Sequence, residues 1–70
     1  MTRPAGLARL DADDVDLLRL YADGRTAPEI ARRLHVSERT VRRRLRSICD
    51  VLDVGTVIEA VVLAARHDLI

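Results

Sequence analysis

Aromatic residues are almost missing from this chain: it has no Phe and no Trp, and Tyr21 stands alone. Stacking platforms for unpaired bases therefore have no raw material, which argues against an RNA-recognition sheet or an OB-fold. Lysine is missing too, so all twelve basic side chains are Arg, a bias that the codon usage of a GC-rich genome is enough to explain. A single cysteine, Cys49, excludes an intrachain disulfide and offers no metal-ligand cluster, so neither a metal nor a cofactor is expected. Its place, roughly 80° from the apolar stripe of its helix, predicts a small, half-buried hydrophobe. The longest near-apolar run, Val57 to Ala65, contains Glu59 and is too short to span a bilayer. The start of the chain has no apolar stretch of the signal-peptide kind. A cytoplasmic protein is the expectation. Sustained period-2 alternation is absent as well, which leaves one all-α domain of seventy residues with a core close to the minimum.

What the chain has is concentrated Arg. Residues 32–46 hold seven Arg against Glu38 alone, a local +6, while the remainder sums to −5, so the net +1 hides a strong dipole. On a helix that runs from Ser37 through Ile48 to about Asp53, the side chains Leu45, Ile48 and Leu52 fall within roughly 40° of Val41. Arg39, Arg43 and Arg46 fall roughly opposite, with Arg42 on the shoulder. A solvated charged face is the bland alternative, but one acid in fifteen residues cannot neutralise this stripe by i,i+4 pairing. Guanidinium groups grip phosphates and read guanine edges bidentately, so the stripe predicts contact with nucleic acid. Without aromatic platforms, duplex DNA is favoured by elimination.

Capping signals divide the chain. Residues 1–9 show no period and are expected to be a flexible arm; residues 10–70 form the domain. A first helix begins after Asp11, with Asp13, Asp14 and Asp16 where the dipole favours anions, and Gly24 ends it. Thr26-Ala-Pro-Glu29 is a capping box opening a second helix to about Leu34, which buries Ile30, Ala31 and Leu34. His35 takes a turn position of left-handed or strained backbone, and Ser37 caps the third helix, which ends near Asp53. Two helices joined by about three residues, with an apolar residue in the turn, have the helix-turn-helix layout. Thr56-Val-Ile-Glu59 is a second capping box, opening a fourth helix to about His67. Its apolar residues cover most of its circumference, more than one core contact requires, so part of it is expected to be an interface.

These segments resemble the LuxR-type (GerE/NarL-like) helix-turn-helix domain of bacterial transcription factors. The resemblance is carried by Leu17-Leu-Arg-Leu-Tyr-Ala-Asp-Gly24, Glu29-Ile-Ala-Arg-Arg-Leu34 and Val36-Ser-Glu-Arg-Thr-Val41. It continues through Leu52-Asp-Val54, Glu59-Ala-Val61 and Asp68-Leu-Ile70, and so covers residues 10–70. It implies a four-helix fold with the recognition helix, residues 38–52, in the major groove. It gives Arg42, Arg43 and Arg46 the positions that face base edges, and Arg39, Thr40 and Arg44 positions that touch phosphate. Thr26, at the start of the second helix, also approaches the phosphate backbone. Dimer contacts fall on the fourth helix, where Val57, Val62 and Leu63 are the candidates. The chain departs from the family where His35, Asp53 and Asp68 replace its usual Gly, where Arg44 stands for a frequent His, and where Val57 stands for a frequent Arg. Members usually carry an additional sensor domain, so the chain reads either as a stand-alone regulator or as an excised domain.

The leading expectation is a sequence-specific transcription regulator that binds duplex DNA as a homodimer. The alternative is an interaction module whose fourth helix docks on RNA polymerase, a sigma factor or another regulator. An enzyme is not expected, because Ser37, Ser47, His35 and His67 show no nucleophile–base spacing and so small a domain leaves little room for a substrate pocket.

Overall fold

The computed structural model describes residues 5–70. It is all-helical: a short 3-10 helix at Ala5–Arg9, then α1 (Ala12–Ala22), α2 (Ala27–Leu34), α3 (Glu38–Leu52) and α4 (Val57–Arg66). No strand occurs among the described residues.

Each helix begins where a short oxygen-bearing side chain can satisfy its third N–H. Asp11, Thr26, Ser37 and Thr56 are the four N-caps, as the sequence predicts. In α1 the cap is reciprocal: Asp14 N–H donates to Asp11 Oδ1 at 2.9 Å, and Asp11 N–H donates to Asp14 Oδ2 at 3.2 Å. Such a cap contributes about 1 kcal/mol, a large share for a domain this small.

The helix ends need the opposite backbone. Gly24 has φ +86°, the conformation expected of it after α1. His35 (φ 57°), Asp53 (φ 55°) and Asp68 (φ 59°) adopt left-handed backbone with a Cβ present. Each such position costs roughly 1–2 kcal/mol relative to ordinary helix backbone.

Among the described residues the core is wholly apolar, and it centres on α3. Val41, Leu45, Ile48 and Leu52 are buried as one stripe, and they meet Leu17 and Leu18 of α1, Ile30 and Ala31 of α2, and Ala60 and Ala64 of α4. Two alanines on the inner side of α4 let it lie close against its neighbours, with Val57, Val61 and Leu63 packed at the margin of the core. Cys49 is buried at 7 % exposure, deeper than the half-buried position its angle predicts. Burial pushes its thiol above the ordinary pKa, helped by the carboxylates of Asp50 and Glu59. An inert core thiol is the result.

The N-terminal segment corrects one expectation. Residues 1–4 of the expected arm lie outside the described residues, but Ala5–Arg9 is helical and its Leu7 is only 2 % exposed. Gly6 explains how the segment gets close enough: a Cβ there would sit 2.3 Å from the Val51 carbonyl oxygen. Gly6→Ala should therefore destabilise the domain by about 1–3 kcal/mol, the usual cost of forcing a methyl group into packed structure. Denaturant unfolding followed by circular dichroism checks this. An unchanged midpoint would mean that the segment lifts away at no cost.

Candidate nucleic-acid interface

The interface begins at the turn between α2 and α3. His35 N–H donates to Arg32 O at 3.4 Å and Val36 N–H donates to Ala31 O at 3.0 Å, which closes the end of α2. Val36 packs against the core, so the three-residue turn is pinned from inside. Ser37 then starts α3, its Oγ accepting from Thr40 N–H at 3.0 Å. The angle between the two helices is thus set by backbone bonds and one apolar anchor.

With the Val41–Leu52 stripe buried, the opposite side of α3 has only one direction to face. Arg39, Arg42, Arg43 and Arg46 are all exposed. Arg44 is exposed as well, but it leaves the helix on the other shoulder, roughly 160° from Arg46. Arg42 Nη1 donates to Glu38 Oε2 at 3.2 Å. Arg39, Arg43, Arg44 and Arg46 have no ion-pair partner among the described residues. Four uncompensated guanidinium groups on one helix hold a positive potential that a polyanion can discharge.

The polar residues around the stripe are differently engaged. Thr40 is half-buried, and its hydroxyl oxygen accepts from Ser37 Oγ at 2.9 Å, which leaves the Thr40 hydroxyl proton unspent. Thr26 gives both its donors to Glu29 Oε1, the N–H at 3.1 Å and the hydroxyl at 3.0 Å. Those two bonds hold the Glu29 carboxyl below its ordinary pKa, with Arg25 and Arg32 adding smaller attractions. The same bonds thus favour the charged form that the capping box uses.

The structure divides the three residues expected at a dimer contact. Val62 is 42 % exposed, whereas Leu63 and Val57 are half-buried against the core. Val57 lies in a hollow with Arg46, Cys49 and Asp50, which meets at Val54 the groove lined by Ile58, Glu59, Val62, Leu63 and Arg66. Ile58, at 61 % exposure, is the most exposed large hydrophobic side chain among the described residues and was not among the expected three. The i,i+4 spacing from Val62 is the signal that pairs them on one face.

Residues 15–50 match the homeodomain-like domain, 36 of the 70 residues. The chain belongs to the homeodomain-like family. Neither a curated protein nor a solved structure matches it. The matched span runs from α1 to the last turn of α3, so this homeodomain-like domain has its helix-turn-helix at α2–α3, and α4 lies beyond the match. Among the described residues no helix is long and apolar enough to cross a membrane.

Proposed function

We propose that this domain is a sequence-specific, duplex-DNA-binding transcription regulator of the LuxR type, a cytoplasmic binding module rather than an enzyme, and that it acts as a dimer. The carrying observation is the Arg stripe on α3, exposed on one side of a helix whose other side is locked into the core. A recognition helix held this way enters the major groove with its N-terminal half against base edges. The LuxR-type reading is supported by the backbone: His35, Asp53 and Asp68, which stand where that family usually has Gly, all have positive φ. It is also supported by the presence of α4, which a three-helix domain lacks.

Arg42, Arg43 and Arg46 are assigned to base edges, and Arg39, Arg44 and Thr40 to phosphates. At the start of α2, Thr26 has spent its own donors on Glu29 and Pro28 has no N–H, so a phosphate there meets the N–H of Ala27. Arg43→Ala and Arg46→Ala should each cost about 1–3 kcal/mol on the preferred site and relax selection at one base pair. Arg39→Ala and Arg44→Ala should weaken binding evenly across sequences. Selection of bound duplexes from a random library, followed by titration of each variant, measures both effects. Equal losses on preferred and random duplexes for the Arg43 and Arg46 variants would overturn the base assignment.

A second reading has its own observation: Ile58 and Val62 expose an apolar surface on α4 that a different protein could cover. An interaction module of that kind would leave a duplex unshifted in a gel at low salt.

A further inference from the structure

The acid at the edge of the reading face, on the shoulder it shares with Arg42, has no part in the interface described so far. Glu38 is the first residue of α3, one turn before Arg42 and on the same side of the helix, so it stands at the end of the recognition helix that goes deepest into a groove. It does not cap: Ser37 does that, and the third residue of α3 is Thr40, so no reciprocal carboxylate is required. Carboxylates of the other capping helices, Asp14, Glu29 and Glu59, are all bonded back to their own cap residues. Glu38 points its charge at Arg42 instead, Oε2 accepting from Nη1 at 3.2 Å. Its second oxygen, Oε1, holds no hydrogen bond among the described residues. The helix dipole favours an anion in this first turn, as in α1, but it does not require that the acid be paired with an Arg of the reading face. Against a polyanion, an acid at this point repels, and repulsion that falls on every sequence alike is useful only if one sequence is spared it.

We propose that Glu38 is a specificity-determining residue that works as a unit with Arg42 to read a guanine together with a cytosine. This rests on α3 entering the major groove. The Glu38 carboxylate fixes the plane of the Arg42 guanidinium, whose Nε and Nη2 edge stays free to donate to guanine N7 and O6. Glu38 Oε1 accepts from the N4 amino group of a cytosine in the same or the adjacent base pair. Thymine at that position sets its O4 acceptor against the carboxylate, and a backbone contact out of register sets a phosphate against it. Glu38 thus lowers affinity for duplexes that offer it no amino donor, and cytosine suits it better than adenine, whose N6 donor is flanked by the N7 acceptor.

The test compares the whole chain with Glu38→Gln and Arg42→Ala, using library selection and titration on the selected and on a random duplex. Glu38 is half-buried, but Gln has the same shape and meets no core contact there, so Glu38→Gln should keep its helicity, which circular dichroism verifies. The expected result is loss of cytosine selection at one position, tighter binding to random duplex, and a specific-to-random ratio reduced about tenfold or more. Arg42→Ala should lose the neighbouring guanine instead. An unchanged cytosine preference in Glu38→Gln, with Arg43→Ala and Arg46→Ala still altering their own positions, overturns the role of Glu38 and leaves the base-reading assignment standing. Unaltered preferences in all these variants overturn both.

Discussion

Raising monovalent salt from about 50 mM to about 200 mM should weaken binding to a duplex with two half-sites by roughly ten-thousandfold. The expectation starts from the four phosphate contacts proposed for each subunit, at the exposed Arg39 and Arg44, at Thr40 and at the N–H of Ala27. With roughly four phosphates neutralised per subunit, a bound dimer displaces the counterions of about eight, and the log–log slope is on the order of −7. Ten acidic residues outside the basic segment oppose non-specific adhesion, so the steep slope should accompany weak binding to random duplex. Titration by fluorescence anisotropy at several salt concentrations measures the slope. A value near −3 to −4 would mean that one subunit binds at a time, and a value near zero would end the DNA-binding proposal.

How far the fold could be read from the sequence depended on the range of the interaction. Helix starts at Asp11, Thr26, Ser37 and Thr56 were legible because a cap is settled within four residues. The buried stripe of α3 was legible because its period is strict, and the left-handed turn at His35 because the layout leaves that position nothing else. Leu7 was not legible. Its burial depends on Gly6 approaching Val51, a contact across most of the chain that no local pattern encodes. The extra burial of Cys49 has the same origin, since α4 and its preceding loop cover a side chain that α3 alone would leave half open. Arg43 and Arg46 on the outward side followed directly from the period. The engagement of Thr26 by Glu29, which spends the donors once expected for phosphate, came from the same capping box that placed the helix.

The exposed face of α4 was legible only in outline. Its apolar residues surround most of the helix, and periodicity cannot choose which of them a core will cover. The structure seats Ala60 and Ala64 inward and leaves Ile58 and Val62 outward, with Val57 turned toward the core. A two-fold contact centred on Ile58 and Val62 would set two recognition helices in successive major grooves, reading half-sites about 10 base pairs apart. The second subunit then binds at an effective concentration set by the first, a gain of roughly 10²–10⁴ in affinity for a two-half-site duplex. Val62→Glu should remove that gain, because two carboxylates would face each other across the axis. Ile58→Glu should do the same. Both positions are exposed, so the variants should stay folded and keep their affinity for a single half-site, whereas Leu63→Glu would disturb a half-buried side chain and confuse folding with assembly. Gel-shift titration on one-site and two-site duplexes separates the terms. Undiminished cooperativity in both variants would place the dimer contact elsewhere and leave the groove beside Ile58 and Val62 for a different protein.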